Sequence, residues 1–170
     1  PKGVMEMVEK ARKAGKVRHV GFTGHTVPGI LNKMIARYPF ATVLMPLSAV
    51  DGSNAQKSFE KETLPLARSK NLGVIAMKVL SAGQTLQKKA ATLEECLRYV
   101  WSLPVSTAIM GMDQVPFVEA NVALARTAKP MTAMEMDSLR RRIAGMEYAG
   151  LEPWKENRYD VPDGLVYRAD

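Results

Sequence analysis

Four short apolar runs at near-regular intervals constrain this chain more than any other feature: RHVGFT, TVLMPLS, GVIAMKVL and STAIMG. Each is apolar for most of its length and ends near turn residues, as a strand covered on both faces does. Their starts at Arg18, Thr42, Gly73 and Ser106 lie 24, 31 and 33 residues apart, the length of one strand, one helix and two loops. Helical patterns fill the intervals: VPGILNKMIARY, FEKETLPLARSKN and TLEECLRYVWSL, then QVPFVEANVALARTA after the last run. Repeated βα units of this kind imply an α/β fold with a parallel sheet and right-handed crossovers.

Local signals support the parse. Thr92 with Glu95, and Thr132 with Glu135, have capping-box spacing. Pro28 suits the first turn of a helix, and Asp113 is a candidate N-cap for the helix that follows it. The first helix precedes the first strand, and the chain does not open on methionine. Both point to a start partway through a larger array of repeats. The last helix, TAMEMDSLRRRIAGMEYAG, is followed by a polar tail without periodicity, expected to wrap a surface. An open doubly wound sheet and part of a βα barrel both accommodate this order. In either, function gathers at the C-terminal ends of the strands. Those ends carry Thr23–His25, Ser48–Asp51, Lys78–Gly83 and Gly111–Asp113.

Composition narrows the function classes. No run approaches the ~18 apolar residues of a membrane span, and the charged start is not a secretion signal. One cysteine, Cys96, excludes a disulfide framework and a cysteine-based metal site within one chain, and suits a reducing cytoplasm. Cys96 reads as a small core hydrophobe. With two histidines, no His-rich metal site forms. His19 reads as a packed strand histidine and His25 as a candidate ligand contact. Net charge is +7, with basic clusters at Lys10–Arg18 and Arg140–Arg142. Acidic residues interrupt them and few aromatics are interleaved, so a solvated surface is the better reading than a nucleic-acid site. No GxGxxG follows a strand, and Walker, HExxH and GxSxG motifs are absent. Lys78, at the end of an apolar strand, suits a phosphate, or else a structural ion pair. The helix N-terminus after GMDQ favours anions.

The ordered segments EKARKAGKVRHVGFTGH, ATVLMPLS, FEKETLPLARSKNLGVIAMKVL and SLPVSTAIMGMDQVPFVEANVALA resemble the C-terminal half of the aldo/keto reductase family. The resemblance runs from Val4 to about Pro130. It implies a (β/α)8 TIM-barrel family fold, of which this chain is the C-terminal half-barrel: four parallel βα units, the fifth to eighth, plus a C-terminal helix and tail. Residues 1–170 are then a single partial domain, with βα units over 4–130 and helix and tail over 131–170.

The resemblance also implies NADP as cofactor and a small carbonyl or alcohol substrate. NAD is the alternative, because Gly111–Phe117 holds no Arg or Lys for a 2′-phosphate, although Arg126 or Lys129 can approach, and Asp113 can accept from a ribose hydroxyl. Thr23 and Gly24 stand at the family's Ser and Asn beside the nicotinamide carboxamide, with His25 next. Met77 stands at the aromatic that stacks on the ring. Lys78, Val79, Leu80 and Gly83 match the loop at the pyrophosphate. Gly111, Met112 and Asp113 lie near the adenosine 2′ position, and Asn121 matches the asparagine at the adenine. Ala120 replaces a glutamate, Phe117 replaces an Arg or Gln, and the sixth-strand glutamine has no counterpart. No residue matches the catalytic Asp, Tyr, Lys and His, which belong to the first four units. The implied protein is a truncated reductase, inactive alone and prone to self-association. A non-catalytic half-barrel that binds a nucleotide or pairs with a second half is the competing reading.

Overall fold

The computed structural model describes residues 3–146 and 150–155. The chain runs α1 (Val4–Lys13), β1 (Gly21–Thr23), α2 (Pro28–Arg37), β2 (Thr42–Pro46), α3 (Ala49–Ser53), α4 (Phe59–Glu62), α5 (Leu64–Ser69) and β3 (Gly73–Met77). A 3-10 turn (Ser81–Gly83), α6 (Gln84–Gln87), α7 (Leu93–Trp101), β4 (Thr107–Ala108), α8 (Val115–Thr127), α9 (Ala133–Ala144) and a second 3-10 turn (Pro153–Lys155) complete it. The four strands form one parallel sheet in the order β1-β2-β3-β4. Spatial order follows chain order with no reversal, so the sheet is singly wound. A doubly wound sheet needs a switch point, and this one has none among the described residues. The fold is half of a (β/α)8 barrel.

Strands and helices are shorter than the apolar runs. Only Gly21–Thr23 of RHVGFT pairs with β2, in the register Gly21↔Thr42, and only Thr107 and Ala108 of STAIMG pair with β3. Both are outer strands with a neighbour on one side. His19 therefore precedes β1 and is exposed, not packed in a strand. The pattern FEKETLPLARSKN divides at Thr63 into α4 and α5, with Pro65 in the first turn of the second helix. Gln114, not Asp113, is the N-cap of α8, and its side chain makes no cap bond. Both predicted capping boxes form, at Thr92–Glu95 and Thr132–Glu135. The tail beyond residue 155 and residues 147–149 lie outside the described residues. The part of the tail that is described enters the interior: Leu151, Glu152, Trp154 and Lys155 are all buried.

The core lies between the sheet and the outer helices. Val43, Met45, Val74 and Ala76 of the strands meet Leu97, Val100, Leu139 and Ile143. Cys96 is buried there, and burial pushes its thiol up to about 12. A polar tie joins three helices. The Tyr99 hydroxyl donates to Glu60 at 2.7 Å and accepts from Arg140 Nε at 2.7 Å, while Arg140 Nη2 reaches Glu60 Oε1 at 2.6 Å. Gly52 packs so closely against Tyr99 and Glu60 that a Cβ would overlap them. Tyr99→Phe removes one partner from each of two poorly solvated charges. It is expected to cost about 1–3 kcal/mol, read as the change in unfolding free energy in urea.

Among the described residues nothing pairs with the outer edge of β1 or of β4. Neither α1 nor α8 has a buried residue. Val4 and Met7 on one margin, and Ile109, Met112, Val115, Phe117, Val118 and Val122 on the other, are exposed. The basic clusters are partly neutralised, through Lys10–Glu6, Arg12–Glu9, Arg140–Glu60 and Arg142–Glu95.

Candidate functional site at the strand ends

Parallel strands in one register present their C-terminal ends on one side of the sheet. Thr23 closes β1 and is exposed. Gly24, which follows, donates its N–H to Leu44 O at 3.2 Å. A Cβ at Gly24 would lie inside the Leu31 side chain. Close approach of α2 thus requires glycine, and the family's asparagine does not fit this position without displacing Leu31. His25 is half-buried. Burial first, then the Lys78 ammonium, pushes its imidazole below the usual range, so it is neutral at pH 7.

Met77 ends β3 and is buried, as is Val79 two residues on. Lys78 between them is half-buried with φ 56°. Ser81, Ala82 and Gly83 follow at φ 50°, 53° and 88°. Left-handed backbone costs a non-glycine residue roughly 1–2 kcal/mol, so three such residues within five positions, Lys78 to Ala82, make a strained loop, with Gly83 at its exit relieving one position. Two buried hydroxyls here, Ser81 Oγ and Thr85 Oγ1, have no hydrogen-bond partner among the described residues. Among the described residues no carboxylate pairs with Lys78. Its Nζ instead lies 5.3 Å from the centre of the Trp154 ring.

A second group forms at the β4 margin. Asn121 Nδ2 on α8 donates to Gly111 O at 3.4 Å, tying the helix to the end of the strand. Gly111, Met112 and Asp113 are exposed. Asn121 and Met112 open onto a cleft of about 430 Å³ between α7, β4 and α8, lined also by Leu97, Trp101 and Val122.

The segment 150–155 supplies what the sequence reading missed. Asp51 is fully buried after β2; its carboxylate accepts from the N–H groups of Phe59 at 3.0 Å and Glu60 at 2.8 Å. Lys155 Nζ bonds to Asp51 Oδ1 and to Glu152 Oε2, the latter at 2.8 Å. Asn54 donates to Glu152 at 3.4 Å, and Lys57 Nζ donates to Lys155 O at 3.2 Å. The signal available in sequence was a lone tryptophan followed by lysine in an otherwise polar tail.

Burial, and secondarily Asp51, pushes the Glu152 carboxyl up to about 7, against the opposing pull of Lys155 and Asn54. A folded-state value above the unfolded one means the native protein holds this proton more tightly. Stability from this group is therefore present below about pH 4.5 and is lost as pH rises through 7, by about 3 kcal/mol in all. Glu152→Gln should flatten the fall in urea-unfolding free energy between pH 5.5 and 8. An unchanged slope would show that Glu152 ionises normally.

Among the described residues no three His, Cys, Asp or Glu side chains are grouped to hold a metal ion. No helix among them is long and apolar enough to cross a membrane.

Comparison with known proteins decides the family. The model of the aldo/keto reductase family matches residues 2–96, more than half of the chain. The chain belongs to the aldo/keto reductase family. Its β1, β2, β3 and the Lys78–Gly83 loop all fall within the match, whereas Gly111 and Asn121 lie beyond it. The aldo-keto reductase AKR11C1 of Bacillus halodurans has a similar fold in both its holo and apo structures. Each superposes with a TM-score of 0.63 at 19% identity over 85% of this chain. This aldo/keto reductase chain spans 57% of the holo and 58% of the apo structure's length. Comparison with curated protein sequences gives no match.

Proposed function

We propose that this chain is the cofactor-holding, C-terminal half of an aldo/keto reductase. In the parent reaction, hydride passes between NAD(P)H and a small carbonyl or alcohol in the cytoplasm. The observation that carries the reading is Lys78: a half-buried cation at a strand end, inside the family match, with no carboxylate partner among the described residues. An ammonium at that place suits a dianionic pyrophosphate. Ser81 and Thr85, close by in the chain, carry buried hydroxyls with no partner among the described residues. Neutral His25 beside Lys78 adds no second positive charge to repel the ring of an oxidised nicotinamide. Gly83 lets the loop turn away into α6.

In this reading Lys78, Val79, Leu80 and Gly83 hold the pyrophosphate. Thr23, Gly24, His25 and Met77 face the nicotinamide end, and Gly111, Met112, Asp113 and Asn121 the adenosine end. Gly24 cannot supply the family's amide, which leaves His25 as the polar group nearest that position. The cleft beside Asn121 is lined mostly by apolar side chains, Leu97, Trp101 and Val122 among them, which suits a purine. The cofactor supplies the hydride; the residues of this chain bind and orient it. NADP is the expected form, and NAD the alternative if the exposed Asp113 repels a 2′-phosphate.

Calorimetric titration of the chain with NADP+ and with NAD+ tests the reading. Saturable binding is expected, weakened about 10- to 100-fold by Lys78→Met, since a charge-assisted contact is worth about 1.5–3 kcal/mol. Absence of binding, or binding indifferent to Lys78, would overturn it.

A further inference from the structure

We propose that Trp154 is a positioning residue for Lys78, so that the 150–155 segment, far from the strand ends in sequence, sets the geometry of the anion-binding loop. The inference rests on the cofactor reading above and adds a part of the chain that neither the family match nor the sequence motifs include.

Three observations converge. First, Lys78 has a four-carbon stem and no carboxylate partner among the described residues, yet its ammonium lies 5.3 Å from the Trp154 ring centre, within the range in which a cation is held by an aromatic face. An aromatic face restrains the ammonium without neutralising it, which a carboxylate would do. The full charge stays available to an incoming anion.

Second, Trp154 is itself immobilised. It is 8% exposed. Its two flanks are fastened to α3 and the loop after it: Lys155 to Asp51 and Lys57, Glu152 to Asn54. Lys155 Nζ also lies 5.2 Å from the Phe59 ring. Gly150, at the start of the segment, lies beside the Lys88 side chain, at the far end of the loop and helix that Lys78 begins. The segment thus runs along the Lys78–Lys88 stretch and locks onto the end of β2.

Third, the Trp154 indole N–H is buried without a partner among the described residues, although a buried indole usually finds one. No hydrogen bond to a described residue accounts for a tryptophan at this place. Its ring face against Lys78 does.

The test uses the full chain with NADP+ and, separately, inorganic pyrophosphate as probes. Trp154→Leu keeps an apolar side chain and removes the aromatic face; Trp154→Phe keeps a face. The leucine variant is expected to bind both probes about three- to tenfold more weakly, the phenylalanine variant to recover most of the loss, and Lys78→Met/Trp154→Leu to bind no more weakly than Lys78→Met alone. Unchanged binding in Trp154→Leu, or an equal loss in the Lys78→Met background, overturns the proposal while leaving the cofactor reading intact. If neither probe binds the wild-type chain, the cofactor reading fails instead. The contact is then read without ligand, from the rate at which an acylating reagent modifies Lys78, mapped by peptide mass spectrometry. That rate should rise severalfold in Trp154→Leu and not in Trp154→Phe. Equal rates in all three proteins would again overturn the proposal.

Discussion

Lys155→Met is expected to lower the unfolding free energy by about 3–5 kcal/mol, the usual consequence of removing one partner from a buried ion pair. Asp51 and Glu152 share this single ammonium, and all three side chains are almost wholly shielded from water. Without the lysine, two carboxylates face each other in the interior. Asp51 keeps its N–H donors from Phe59 and Glu60, but Glu152 Oε1 already has no partner among the described residues. Adding Glu152→Gln to Lys155→Met removes that repulsion and should restore part of the loss. Urea unfolding at pH 7 reads both effects. A loss below 1 kcal/mol in the single variant would mean that water reaches the cluster freely.

The second large effect is on turnover and association. The chain, purified alone, is expected to consume NADPH no faster with a carbonyl substrate than without one. On the proposed reading this chain carries none of the family's proton-donating tetrad, and help of that kind is typically worth ~10²–10⁴ in rate. It is also expected to sediment as a species larger than a monomer. Among the described residues the outer strands β1 and β4 each have one open edge, and such edges recruit other strands. The apolar side chains of α8 beside the β4 edge add an exposed patch that favours association. A stable monomer with substrate-dependent NADPH oxidation would contradict both halves of this expectation.

How far the sequence reaches is visible in particular residues. The parallel strands were legible because strands covered on both faces must be apolar along their length. The capping boxes at Thr92 and Thr132 were legible because both partners lie within one helical turn. His19 was misread because it stands within the largely apolar run RHVGFT, whereas an outer strand needs a ladder partner, and β2 offers one only from Gly21 onward. Asp113 failed as a cap because the helix starts one residue later. The Asp51–Lys155 pair joins residues 104 apart, and Lys78 meets Trp154 from the other end of the domain. No periodicity or spacing encodes such contacts; only the folded path of the tail creates them. The strained backbone from Lys78 to Ala82 was equally hidden, since none of those residues is the glycine that usually marks left-handed φ.

The measurement that bears most directly on the central claim is a crystal structure of the chain with NADP+. The account predicts the pyrophosphate against the loop from Lys78 to Gly83, with the Lys78 ammonium on it and the adenine beside Asn121. A dinucleotide bound at another face, or none at a concentration that saturates intact members of the family, would contradict it.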